Sequence, residues 1–110
     1  MSDGDVVLIP FPFTDLTGIK TRPALILAAF ETTIIVSFIT SKINYQEAYD
    51  ILLSPDENNG LKKPSILRLN KIVTVDKELV IGIVGNISET VLINVHESLV
   101  SMFKPGIRRI

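Results

Sequence analysis

Between Pro23 and Ser41 the chain carries a single charge, Glu31, set near the middle of an otherwise apolar, β-branched run. An apolar stretch of that length approaches what a bilayer crossing requires, but a carboxylate at its centre sits where lipid penalises it most. Thr33, Ile34, Ile35, Val36, Phe38 and Ile39 are strong strand formers. The segment is therefore predicted to be a hairpin, residues 23–30 against 33–40, turning at Glu31 and Thr32, and not a membrane helix. Antiparallel pairing brings the start of the first strand beside the end of the second, setting Pro23 across from Thr40 and making Arg22 its neighbour. A guanidinium beside a hydroxyl is a competent clamp for a phosphate whose charge grows in a transition state. Plainer readings stand beside this one. Arg22 can cap its strand and pair with Asp15, and Thr40-Ser41-Lys42 can close a strand end through hydroxyl caps.

The hairpin is preceded by Gly4-Asp5-Val6-Val7-Leu8-Ile9-Pro10-Phe11-Pro12-Phe13-Thr14-Asp15. Residues 6–9 read as a strand buried on both faces. Pro10 and Pro12 lack backbone donors and fix φ, so the chain is expected to leave the sheet there as a stiff loop, with turn chemistry from Thr14, Asp15, Thr17 and Gly18. Beyond the hairpin, residues 49–54 read as a strand. The segment 54–60 reads as a turn able to open one helical turn at Asp56 and close at Gly60. Residues 65–70 alternate, placing Arg68 on the face opposite Leu67 and Leu69. Residues 71–76 continue as a short strand or bend, and 79–84 form a further strand ended by Gly85.

Ser88 is a fitting N-cap with Glu89 in the first turn. Leu92, Val95, Leu99 and Met102 follow at helical spacing, widened by Val91 and Phe103, until Pro105-Gly106 stops the helix. Several short strands and one helix predict a mainly β domain spanning residues 1–110. It would be a small curled antiparallel sheet closing toward a barrel, which removes exposed edges, with the C-terminal helix packed on it.

Composition excludes several chemistries. The 110 residues include no cysteine, so disulfides and thiolates play no part, and a reducing cytoplasm suits such a chain. The acidic, polar start Met1-Ser2-Asp3-Gly4-Asp5 is unlike a secretory signal. His96 is the only histidine and lies in the predicted helix, which leaves metal sites and nucleophilic triads without ligands or a base. No Walker loop, G-x-S-x-G or G-x-G-x-x-G is present. The net charge of -1 argues against non-specific coating of nucleic acid. Its distribution is less even: residues 61–71 hold Lys62, Lys63, Arg68 and Lys71 without an acid, and Lys20, Arg22 and Lys42 lie in or beside other loops. These make either a local basic face or ordinary solvated surface. The polar candidates that remain are Arg22, Thr40, Ser41, Lys42, Arg68 and Asn70.

Taken in order, Gly4 to Asp15, Lys20-Thr21-Arg22-Pro23-Ala24-Leu25-Ile26-Leu27, Ile39-Thr40-Ser41, Gly60-Leu61-Lys62-Lys63-Pro64-Ser65 with Arg68, and Lys71-Ile72-Val73-Thr74-Val75-Asp76 resemble the MazF/PemK toxins, the ribonuclease half of bacterial toxin–antitoxin pairs. The resemblance covers nearly the whole chain. It implies an SH3-like barrel with a C-terminal helix, of the CcdB/PemK kind, acting in the cytoplasm as a homodimer. The implied activity is metal-independent, sequence-specific cleavage of single-stranded RNA, with the 2′-hydroxyl as nucleophile and no cofactor. The implied partners are a cognate antitoxin and, only as the toxin–antitoxin complex, operator DNA; no membrane is implied. The family's active arginine falls on Arg22 and its active threonine on Thr40. Arg68 matches a basic position that helps catalysis or RNA binding in some relatives, and Asn70 stands where some of them carry an aspartate. Phe13, Thr14, Thr17 and Lys20 would line the RNA channel, with Ser41, Lys42 and Lys62 beside it. Phe13 would either stack on a base or tuck into the core. Two readings without RNA cleavage share the fold: a toxin that binds a protein such as gyrase, and a plain SH3-like binding module.

Overall fold

The hairpin forms as its residues demand. In the computed structural model, which describes residues 1–11 and 20–104, Lys20–Ala29 (β2) and Thr33–Thr40 (β3) pair antiparallel. Asp5–Phe11 (β1) flanks β2, and Asp50–Leu53 (β4), Ser65–Asp76 (β5) and Gly82–Asn86 (β6) complete a sheet of order β4-β5-β3-β2-β1-β6, antiparallel at every seam. Glu89–Phe103 (α1) follows as the C-terminal helix. Phe13, Thr14 and Thr17, with the expected loop around them and the Pro105-Gly106 stop, lie outside the described residues.

Alternation divides the apolar side chains of the sheet between two cores. Val6, Leu25, Ile39, Leu67 and Leu69 form one with Val95 of α1, against which Val91, Leu92, Leu99 and Met102 also pack. Val7, Ile9, Ala24, Ile26, Ile34 and Val36 form the other, on the opposite face. Burial on both faces is what the near-continuous apolar runs of β1 and β2 require. Ser88 caps α1, its hydroxyl accepting from the Val91 N–H at 3.2 Å, with Glu89 in the first turn. Phe103 does not widen the packed stripe as expected; it is 69% exposed at the last position of α1.

The sheet curls until its two ends meet. The turn after β4 is built by side chains and is not helical. The Asp56 carboxylate accepts from the N–H groups of Asn58 and Asn59, and buried Asn59 accepts from Leu61 N and donates to the Ser54 carbonyl. This turn then touches the far edge strand, with Asn86 N donating to the Asn58 carbonyl at 2.8 Å. Glycine is needed on both sides of that seam. A Cβ on Gly85 would lie 2.2 Å from Asn58 O, and one on Gly60, at φ +72°, would lie 2.4 Å from Val84 O.

Several boundaries depart from the sequence expectation. β2 begins at Lys20, not at Pro23, so Arg22 lies within the strand. β1 continues through Pro10, which faces Thr21, to Phe11, which faces Lys20. β6 reaches only to Leu8, so β1 has a single neighbour there, the setting in which a missing donor is tolerated. β5 is one strand where two pieces were expected. β6 begins at Gly82, because Lys77–Leu79 forms a 3-10 turn first.

Candidate functional site

Two bulges set the site. The first, between Ile26 and Ala28, inserts Leu27 and shifts the β2–β3 register by one, giving Leu25↔Ser37 and Ala24↔Phe38. Continued to the strand ends, this register sets Arg22, not Pro23, across from Thr40. On its other side Arg22 pairs with Ile9 of β1, which holds its backbone in the sheet. The second lies in β5. Ile39 pairs with Leu67 and Ser37 with Ile72, leaving residues 68–71 opposite Phe38 alone. The Ser37 hydroxyl donates to the Arg68 carbonyl and ties the bulge down. A bulge of this size turns side chains out of the ladder.

Those side chains wall a cavity of about 550 Å³. Arg22 and Thr40 enter it from the hairpin, Lys42 from the strand end, and Arg68, Asn70 and Lys71 from the bulge. Arg22 also borders a second cavity of about 470 Å³, where it meets Ser41, Lys62 and Lys63. One guanidinium therefore stands between two adjoining, basic-rimmed hollows. The Thr40 hydroxyl accepts from the Lys42 N–H at 3.2 Å, the strand-end cap that its sequence suggested. A hydroxyl that accepts there still has its own proton to donate into the cavity.

Among the candidates from sequence, the fold gathers Arg22, Thr40, Ser41, Lys42, Lys62, Arg68 and Asn70 around these two hollows. Lys20 lines neither; it is exposed at the start of β2, opposite Phe11. His96 also lines neither; it lies on α1 with its Nε2 3.8 Å from the Asp3 carboxylate. Among the described residues no group of three or more His, Asp or Glu side chains is placed to hold a metal ion, and no helix is long and apolar enough to cross a membrane.

Arg68 is more heavily engaged than its sequence context suggested. Its NH1 lies 2.6 Å from Glu47 Oε2 and 3.2 Å from Asp50 Oδ2. Its NH2 donates to the Tyr45 carbonyl at 2.7 Å, and the guanidinium carbon is 5.8 Å from the centre of the Tyr45 ring. The acids reach it because residues 47–50 close on themselves. Glu47 N donates to Asp50 Oδ2, Asp50 N donates to the Glu47 carbonyl, and Tyr49 takes a left-handed φ of 67° to allow it. Hydrogen bonds from Arg68 and from Asn70, the latter at 3.4 Å, and the nearby charges of Arg68 and Lys71 hold the Glu47 carboxyl below its ordinary range, against a smaller opposing effect of desolvation. Sequence reasoning passed over Tyr45, Glu47 and Asp50. The available signal was register, off by one: strands 49–54 and 65–70 aligned antiparallel end to end set Asp50 across from Leu69, whereas β4 pairs with β5 one residue over, Asp50 facing Arg68.

Comparison with known proteins places the chain in a family and matches its fold. A profile describing PemK-like, MazF-like toxins of type II toxin–antitoxin systems matches residues 2–103, and the chain belongs to that family. Its fold is similar to that of the Mycobacterium tuberculosis toxin MazF-mt6, with a TM-score of 0.74 at 18% identity, over 94% of this chain and 99% of that one. It is also similar to a mycobacterial endoribonuclease solved in complex with its cognate antitoxin, with a TM-score of 0.70 at 13% identity, over 98% of this chain and 97% of that one. No curated protein matches it by sequence.

Proposed function

We propose that this toxin-family chain is an endoribonuclease that cuts single-stranded RNA, messenger RNA included, without a metal ion. The observation that carries the reading is the meeting of Arg22 and Thr40 at adjoining strand ends, beside two cavities rimmed by basic side chains. The strand lies with its scissile phosphate at Arg22. Lys42 and Lys71 take backbone charge in one hollow, Lys62 and Lys63 in the other. The ribose 2′-oxygen attacks phosphorus and the bond to the 5′-oxygen breaks, leaving a 2′,3′-cyclic phosphate and a 5′-hydroxyl. The 2′-oxygen loses a proton and the 5′-oxygen gains one.

Arg22 offsets the charge that builds on the non-bridging oxygens and orients the phosphate. A guanidinium holds its protons too tightly to be the base, so its part is electrostatic. Thr40 donates a hydrogen bond to a non-bridging oxygen. Asn70 cannot take a proton as a carboxylate would, so it contacts RNA and does not serve as a base. Lys20, exposed at the start of β2, contributes a further positive charge to RNA binding. DNA, lacking the 2′-hydroxyl, binds and is not cut.

The same reading includes a second copy of the chain and an antitoxin, both met in the cytoplasm. One similar mycobacterial structure contains its antitoxin, and the outer face of α1 here exposes Ile93, Val100 and Phe103, apolar surface suited to a protein partner. The test is incubation of the purified protein with unstructured RNA in excess EDTA, which should give discrete fragments. Arg22→Ala is expected to lower the rate by about a thousandfold or more and Thr40→Ala by about a hundredfold, in the range for loss of one oxyanion donor. Undiminished cutting by folded Arg22→Ala would place the site elsewhere.

A further inference from the structure

Arg68 faces the first cavity, yet it already holds two carboxylates, and those two differ in their hold on it. The Asp50 side chain is 3% exposed, anchored at the first position of β4 opposite Arg68 itself, and its Oδ2 also accepts from Glu47 N at 2.6 Å. The Glu47 side chain is 31% exposed, sits in the segment before the strand, and reaches Arg68 through one oxygen. Solvent-exposed ion pairs are weak and readily exchanged, whereas a buried partner is lost only at large cost. A carboxylate and a phosphodiester present similar anionic oxygens to a guanidinium. Glu47 thus offers Arg68 the same kind of contact that a bound strand would offer, at a point beside Asn70 and Lys71 on the cavity wall.

We propose that Glu47 is an exchangeable internal occupant of Arg68, a carboxylate standing where a phosphodiester of the bound RNA docks, while Asp50 is the permanent positioning residue that keeps the guanidinium facing the cavity. This rests on the RNA-cleaving reading and deepens it. When RNA enters, Glu47 swings into solvent and a backbone phosphate takes its place at NH1; Asp50 and the Tyr45 carbonyl keep the rest of the fork in position. Occupation by Glu47 tunes affinity downward and spares the chemical step at Arg22. The two acids on one arginine therefore have opposite effects on binding.

The experiment measures fluorescence anisotropy of a labelled single-stranded oligonucleotide in which every 2′-hydroxyl is replaced by hydrogen, alongside cleavage of the corresponding RNA in EDTA. Glu47→Gln should tighten binding by about two- to fivefold, with KM falling and kcat unchanged. Asp50→Asn, which can keep the acceptor for Glu47 N, should weaken binding by about tenfold while its urea midpoint shows the protein folded. In an Arg68→Gln background, Glu47→Gln should lose its effect, which separates exchange at Arg68 from general removal of negative charge. Unchanged or weaker binding by Glu47→Gln, or an undiminished gain in the Arg68→Gln background, overturns the exchange while leaving the nuclease reading standing. A wild-type protein that neither binds the oligonucleotide nor cuts RNA overturns both.

Discussion

Gly85→Ala probes the seam that closes the sheet, and with it the second cavity. The added methyl would stand 2.2 Å from Asn58 O and 2.6 Å from the Asn59 carbonyl carbon, both backbone atoms that no rotamer change can remove. Either β6 or the 54–60 turn must shift. That shift stretches the 2.8 Å bond from Asn86 N to Asn58 O and disturbs the set held by Asn59, a buried side chain bonded to Leu61 N and the Ser54 carbonyl. Overpacking of this kind costs about 1–3 kcal/mol, and a lost backbone bond adds about 1 kcal/mol. The expected loss is therefore about 2–4 kcal/mol, read as a lower urea midpoint at unchanged m-value. Because Gly60, Leu61, Lys62 and Val84 line the second cavity, RNA affinity should fall even at temperatures where the variant remains folded. A loss below about 0.5 kcal/mol, the usual range for uninvolved surface changes, would refute the argument that close approach of the turn to β6 requires glycine.

Lys71→Ala should weaken RNA binding with little sequence dependence and flatten the dependence of log K on log salt by about 0.7, as expected for one phosphate contact on a single strand; a titration from low to high salt measures it. Acid titration of stability tests the Glu47–Arg68 pair. Glu47 has its folded pKa lowered from 4.5, so its contribution is present above that value and is lost as pH falls through the folded pKa. Denaturation midpoints followed from pH 6 downward should show a shallower acid decline for Glu47→Gln than for the natural chain over the interval below about 4.5.

The hairpin was legible because one charge between two β-branched runs leaves little alternative to a turn, and that turn carries Arg22 toward Thr40 at the strand ends. Alternation likewise placed Arg68 across the strand from Leu67 and Leu69, which the helix-side core confirms. Ser88 and the stripe from Leu92 to Met102 announced α1. What stayed hidden depends on neighbours. Pro10 remains in the sheet only because β6 stops short of it, and sequence does not state where β6 stops. The bulge at residues 68–71 follows from the long pairing of β3 with β5 and from the Ser37 hydroxyl, none of it local to the residues that it displaces. Glu47 reads as a loop acid and Asp50 as an ordinary strand residue until β4 is set against β5. The juxtaposition of Arg22 and Thr40 was thus readable from one hairpin, and the two carboxylates on Arg68 from three-dimensional pairing alone.

Chemical analysis of RNA fragments made in EDTA by the natural chain and by Arg22→Ala tests the central claim most directly. Attack by the 2′-oxygen at a metal-free arginine clamp predicts 2′,3′-cyclic phosphate and 5′-hydroxyl ends from the natural chain, and their disappearance with Arg22. Fragments bearing 5′-phosphate, or the same cyclic ends formed at an undiminished rate without Arg22, would contradict it.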